Sequence, residues 1–469
     1  MACRAFPIFP DYRASRVCQI HRSLRLNNLQ TPPTNDIDET CLDYSKTMPQ
    51  HSELADRTLR DEIQSLSREA LECLQLEKLN TLLGRILPAN RFYDNKFGDL
   101  NELNNLAQLS ELPFTTKNEL LSEGAFANNL TWSTDQYIRF HRTSGTQGKP
   151  MAVLDTADDW DWWMEVWQYV LDAAELTSED RAFLAFSFGP FIGFWSAHDA
   201  IVARGAMSVP GGGLSTLARL DLINTSQSTV ILCTPTYALR LAEVATENKI
   251  DLPSCSITRI IVAREPGGSI PSSRNRIEQA WGARLIDHAG ASEIGPWGFA
   301  DAKQTGLHVC EAEFIAEVID SKTGQAVAYG EAGELVLTCL GRTGSPMIRY
   351  RTGDRVIPTM SDSHRFLLLK GGVLGREDNM IVIRGVNVFP SAVEEILRSF
   401  QDVVEYRITA CKDGEMDSLT VEVEDRAANV ARIKEAIEVG LGLRVQVILA
   451  EANSLPRFEA KGRRFIDNR

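Results

Sequence analysis

A chain of 469 residues is longer than one hydrophobic core ordinarily serves, so two or more domains are expected. A hydrophobic share of 43% beside 24% charged residues is that of a globular protein. The net charge of −14 argues against a nucleic-acid binder, which needs a Lys- and Arg-rich surface. No run of about eighteen apolar residues occurs, so no membrane span is expected.

The first forty residues are rich in arginine (Arg4, Arg13, Arg16, Arg22, Arg25), and Asp11 is the single acid before Asp36. Residues 1–45 read as a disordered or non-globular extension, with an organelle transit peptide or a start codon placed too early as the alternatives. The nine cysteines form no CxxC pair and are odd in number, which fits reduced thiols in the cytoplasm.

From there the pattern is globular. Apolar residues at spacings of three and four predict a helix over 57–83. The aromatics Trp160, Trp162, Trp163, Trp167 and Tyr169 predict a helix over 158–174, and at that spacing they are read as core packing. Strands are predicted at 181–186, 230–233, 260–262 and 285–286, with helices at 236–247 and 270–281. Thr234-Pro235 supplies an N-cap and a first-turn proline. Strand and helix in alternation imply a largely parallel, helix-flanked sheet. Hairpins follow from Gly333. The last ninety residues then read as a small α+β unit: helices at 391–400 and 427–438, strands near 404–411, 418–424 and 444–449. The expected fold is thus α/β, a large domain over 46–375 with mixed sheets and a small mobile α+β domain over 376–469.

Chemistry concentrates in a few segments. Thr143, Ser144, Gly145, Thr146, Gln147, Gly148 and Lys149 combine hydroxyls, glycines and a cation, as an anion-holding loop requires, though the spacing is not that of a Walker loop. Asp287 to Glu293 is a glycine turn at a strand end, where open α/β sheets bind ligands, and the Glu293 carboxylate there suits Mg²⁺. Asp354, in Thr-Gly-Asp, is either a turn residue or, as preferred, an acid that can accept both hydroxyls of a ribose. Gly375 to Asn379, Arg384 to Pro390 and Pro456 to Gly462 complete the series.

In order and wording these motifs resemble the adenylate-forming superfamily of acyl-CoA synthetases, adenylation domains and luciferases. The closest resemblance is to its phenylacetate–CoA ligase branch, through Arg384 to Pro390 and Arg264 to Gly268. It runs from about residue 85 to the C-terminus. The resemblance implies activation of a carboxylic acid by ATP to an acyl-adenylate, and then transfer to CoA. It also implies roles. Thr143 to Lys149 would hold the β- and γ-phosphates, Glu293 the Mg²⁺, and Ser292 would face the α-phosphate. Glu265 and Pro266 would line the adenine, and Arg376 would assist Asp354 at the ribose. Asp378 would be the hinge, Gly385, Val386 and Asn387 would meet CoA, and Lys461 would be the catalytic lysine. Phe188, Phe191, Gly212 and Trp297 would form the acyl pocket, suited to a flat aromatic acid. The partners implied are that acid, ATP and CoA, with no nucleic acid or membrane and a homodimer left open. Transfer to a carrier thiol or an amine, or a non-catalytic relative, are the alternatives.

Three positions depart from the family's pattern. Ala289 stands where an adenine-stacking aromatic is usual, which turns attention to His288; Gln147 replaces a threonine, and Ala460 a glycine. Cys255, His308 and Cys310 offer three zinc ligands, one short of a structural site, so buried thiols are the preferred reading.

Overall fold

The computed structural model describes residues 57–469, apart from Pro88, 122–124, 144–149, Pro266, 301–302, 362–364, 378–380, 384–385, 414–415 and 459–463. The Arg-rich lead lies outside the described residues. The single helix expected over 57–83 is two, α1 (Arg57–Gln64) and α2 (Arg68–Ile86). Ser67 divides them, because its hydroxyl accepts the Ala70 N–H and so starts the second helix. Next come α3 (Arg91–Phe97) and the short α4 (Lys117–Leu120). Then β1 (Arg139–Arg142) and β2 (Ala152–Asp155) pair antiparallel, so residues 143–151 are the connection of a hairpin.

Helix α5 (Ala157–Ala173) starts at a capping box between Thr156 and Asp159. Its four tryptophans are buried in the main core, as their spacing predicts. The chain then alternates β3 (Arg181–Leu184), α6 (Ile192–Ala203), β4 (Met207–Pro210), α7 (Thr216–Thr225), β5 (Val230–Cys233), α8 (Pro235–Glu247), β6 (Arg259–Val262), α9 (Pro271–Trp281) and β7 (Arg284–Ala291). The strands lie parallel in the order β7-β6-β5-β3-β4. Ile260, Ile261 and Val262 are all but sealed from solvent, and burying each such side chain contributes about 1.5–3 kcal/mol. Because these strands are parallel, β5 and β6 end beside Asp287 of β7, bringing Thr234, Arg264, Glu265 and Asp287 to one edge.

β7 outruns the two-residue strand expected at 285–286, and the sheet continues beyond it. β8 (Gly295–Ala300) and β9 (Gly306–Val309) add antiparallel to β7, followed by β14 (Leu368–Lys370) and β13 (Pro358–Thr359). A second antiparallel sheet has the order β10-β11-β12-β15, from Phe314–Ile319, Gly333–Cys339, Tyr350–Val356 and Gly375–Arg376.

Beyond it, β16 (Ile381–Ile383) and β17 (Val386–Val388) form a hairpin. Helices α10 (Pro390–Arg398) and α11 (Val430–Leu441) pack on a sheet of β18 (Val403–Asp413), β19 (Met416–Asp425), β20 (Gln446–Leu449) and β21 (Phe465–Asp467). This C-terminal unit has its own core, which includes Val393, Ile408, Val421 and Ile433. It is seated on α8 and α9. Arg276 donates to the Val403 carbonyl at 3.0 Å, and Arg398 and Arg464 both reach the Thr236 hydroxyl at 3.4 Å.

Candidate active site

The β1–β2 hairpin is closed at its base by Thr143. Its N–H donates to the Met151 carbonyl (3.0 Å), and its hydroxyl accepts the Met151 N–H (2.9 Å). Ser144, Gly145, Thr146, Gly148 and Lys149 lie outside the described residues. The Arg142 N–H donates to the Pro190 carbonyl (2.7 Å), which sets the end of β1 beside the aromatic segment 186–195.

Glu293 sits in the turn between β7 and β8, 8% exposed. Its Oε1 accepts the Tyr350 hydroxyl at 3.0 Å and lies 3.5 Å from Lys117 Nζ. Its backbone carbonyl accepts from Arg342 Nη1 at 2.5 Å. Burial, and next the Glu293 carboxylate, raise the Tyr350 pKa, so the phenol remains a donor. Lys117, Tyr350 and Arg342 are the residues sequence reasoning missed. Tyr350 lay within the 347–354 motif. Lys117 is brought in by Thr115, which bonds through its backbone to both Arg349 and Arg351. Ser292 is half-buried beside Glu293.

Asp354 and Arg376 are cross-strand partners on β12 and β15, with Arg376 Nη1 3.2 Å from the carboxylate. The two expected ribose residues therefore come together. One Glu265 oxygen accepts the Thr236 N–H at 2.7 Å, at the first turn of α8, so this carboxylate braces a helix N-terminus. Pro266 is outside the described residues. Gly268 packs so closely on Asp287 that a Cβ there would lie 2.4 Å from its Cγ. Only glycine allows the 264–268 segment to meet the 287–293 motif. Asp287 accepts the Ser269 hydroxyl at 2.5 Å, yet burial pushes its carboxyl up to about 6.

His288 is a correction. Side chains alternate along a strand, and β7 turns this ring away from Asp287 into the core, 4.5 Å from Trp167, with Nδ1 2.7 Å from the Gly298 carbonyl. Burial lowers it to about 4, so it is neutral and committed to packing; it does not stack on adenine. Trp297 is also a core residue, 1% exposed, rather than an open pocket wall. The zinc set fails as well: Cys255 packs on a different core from Cys310, and among the described residues no group of three candidate ligands converges.

Phe188 and Gly212 do meet. A Cβ on Gly212 would lie 3.2 Å from the Phe188 ring, which packs edge-on against Trp195 at 4.9 Å. Phe191 lies near Phe194, and the Arg264 guanidinium covers both rings at 5.4 and 4.7 Å. Arg264 holds a left-handed φ of 81°, so the segment before Glu265 is bent onto these aromatics. Asp378, Gly385 and Lys461 lie outside the described residues, as do the side chains of Val386 and Asn387 on β17.

Residues 5–340 match the family described as AMP-binding enzyme, and 385–469 match the AMP-binding enzyme C-terminal domain. The chain belongs to the AMP-binding enzyme family. It is 32% identical over 439 residues to a phenylacetate-coenzyme A ligase of Pseudomonas putida, covering 88% of this chain and 98% of that one. A phenylacetate-coenzyme A ligase of Escherichia coli (strain K12) is 31% identical over 435 residues, with the same coverage. Among solved structures, 2-hydroxyisobutyryl-CoA ligase in its postadenylation state superposes with a TM-score of 0.81 over 92% of this chain and 95% of that one. At 24% identity that likeness gives the fold. The same ligase with 2-HIB-AMP and CoA in its thioesterification state, 25% identical, gives a TM-score of 0.67 over 90% of this chain and 95% of that one. The Asp354–Arg376 pair and the Glu293 turn are thus built on an AMP-binding enzyme scaffold.

Proposed function

We propose that this AMP-binding enzyme joins a flat aromatic acid to CoA at the expense of ATP. A carboxylate oxygen of the acid attacks the α-phosphorus, the α–β phosphoanhydride breaks, and pyrophosphate leaves. The CoA thiol then attacks the acyl carbon, its proton passes to water, and AMP departs. The observation that carries the reading is the Glu293 turn, where a buried carboxylate stands beside Tyr350 and Lys117. The donor set fits Mg²⁺, which binds through one or two carboxylates and the substrate's phosphates. When bound at Glu293 the ion would neutralise charge gathering on those phosphates.

The chain's own residues do the rest. The Thr143–Lys149 loop holds the terminal phosphates, with Ser292 toward the α-phosphate. Asp354 and Arg376 hold the ribose, while the segment at Glu265 and Pro266 borders the adenine. Lys461 offsets the meeting of two anions during adenylation. Rotation about Asp378 then exchanges Lys461 for Gly385, Val386 and Asn387 beside CoA, over a domain division near 376. Phe188, Phe191 and Gly212 border the acid. Phenylacetate is the acid named for the curated relatives, and the ring-lined segment suits it. The scattered thiols, free at Cys73, Cys233, Cys255, Cys310, Cys339 and Cys411, fit the cytoplasm. No helix among the described residues is long and apolar enough to cross a membrane.

Pyrophosphate release over a panel of acids, with and without CoA, tests this. Release should depend on an aromatic acid, and thioester should appear when CoA is added. No acid-dependent pyrophosphate sinks the proposal; full turnover without CoA assigns the acyl group to another acceptor.

A further inference from the structure

The least exposed charge near the site belongs to Arg342, at 0% for its side chain, as for its partner Asp155. Arg342 Nε donates to Asp155 Oδ1 at 2.9 Å, and Nη2 lies 2.7 Å from the same oxygen. Nη1 donates to the Glu293 carbonyl at 2.5 Å. One guanidinium therefore joins the end of β2, where the phosphate-loop hairpin returns, to the turn that carries Glu293. Its own segment is fixed independently. Asp159 Oδ1 accepts the Thr343 and Gly344 N–H groups (2.8 and 3.0 Å), and the Ser345 hydroxyl donates to the Leu154 carbonyl (2.6 Å).

A buried ion pair contributes little net stability compared with a well-packed apolar pair of the same shape, because both charges must be stripped of water. Stability is thus a poor reason for this pair to exist. Orientation is a better one: a planar fork with fixed donor directions sets the spacing of two backbone segments more tightly than apolar contact can. The network also has an open end on the other strand of the hairpin. Asp155 Oδ2 and His141 Nδ1 are buried, each lacks a hydrogen-bond partner among the described residues, and they face each other at 3.9 Å. His141 lies two residues before Thr143, where the loop leaves β1.

We infer that Arg342 is a positioning residue for nucleotide binding: it holds β2 of the β1–β2 hairpin and the Glu293 turn at the separation that MgATP requires, and touches neither ATP nor the acid. The inference rests on the reading that these two segments hold the phosphates. Arg342 bonds the backbone behind the Glu293 carboxylate and not the carboxylate itself, so its loss acts through the position of the turn; outer-shell losses at metal sites cost about 10–100-fold.

The test uses the full chain with Arg342→Lys, which keeps the charge but loses the fork. A second variant, Arg342→Met with Asp155→Leu, removes both charges and keeps the site foldable. Binding of a non-hydrolysable ATP analogue, with and without Mg²⁺, is measured by calorimetry beside the KM values for ATP and acid. Both variants should bind the analogue about tenfold or more weakly when Mg²⁺ is present, with an unchanged acid KM and a cooperative thermal transition. Wild-type affinity in both variants overturns the inference. Equal loss of acid and nucleotide binding overturns it too, because that marks a merely structural role. If the wild type itself neither binds the analogue nor releases pyrophosphate, it is the proposed function that fails.

Discussion

The Glu293 turn and the aromatic segment Phe186–Trp195 are held by different physics. The turn is fixed by directed polar contacts from three distant parts of the chain: Lys117, Arg342 and Tyr350. The aromatic segment is held mainly by ring packing, Phe186 on Phe194 at 4.2 Å and Phe188 on Trp195 at 4.9 Å. Directed contacts tolerate little displacement, whereas ring packing adjusts to shape. Under the proposed function, the reaction belongs to the first kind of wall, and the choice of acid to the second.

Substitutions should separate the two walls. The largest effect is expected for Glu293→Gln, which keeps shape and removes the charge. Acid-dependent pyrophosphate release should fall about a hundredfold or more with every acid alike. Tyr350→Phe leaves the buried Glu293 oxygen without its phenol and should cost about tenfold, expressed mainly in the KM for ATP. Phe188→Ala should raise the acid KM by about tenfold, in line with the few kcal/mol that apolar pocket contacts supply, and leave the ATP KM alone. If Phe188→Ala and Glu293→Gln alter the same constants, the division into two walls is wrong.

The smallest effect concerns stability. His288 is held neutral, near 4 against an ordinary 6.5, so unfolding takes up a proton below 6.5 and stability falls as the pH drops toward 4, by at most about 3 kcal/mol. Asp287, raised to about 6, works the other way: the fold carries its penalty as pH rises from about 4 to 6. The two slopes oppose. His288→Phe should remove the acid-side loss, so in urea unfolding its disadvantage against wild type should be smaller at pH 4.5 than at pH 7.5. An equal difference at both values would show that burial of this ring is not what shifts it.

Thr234 and Pro235 announced α8, and the spacing of four tryptophans announced a buried helix. The antiparallel continuation of the sheet was not legible, because β8 and β9 are buried along their whole length and so show no alternation of polar and apolar residues. His288 was misplaced because β7 runs eight residues instead of two, and the face of a side chain follows from register. Lys117 and Arg342 lie 176 and 49 residues from Glu293, and no spacing rule links positions that only the fold brings together.

The central claim is that an acyl-adenylate forms, and oxygen transfer tests it most directly. With the aromatic acid labelled by ¹⁸O in its carboxylate, attack on the α-phosphorus followed by thioester formation must leave one labelled oxygen on AMP. The account predicts AMP carrying a single ¹⁸O, unlabelled pyrophosphate and one acyl-CoA per AMP. Label in inorganic phosphate with ADP as the product, or AMP without label, would contradict it.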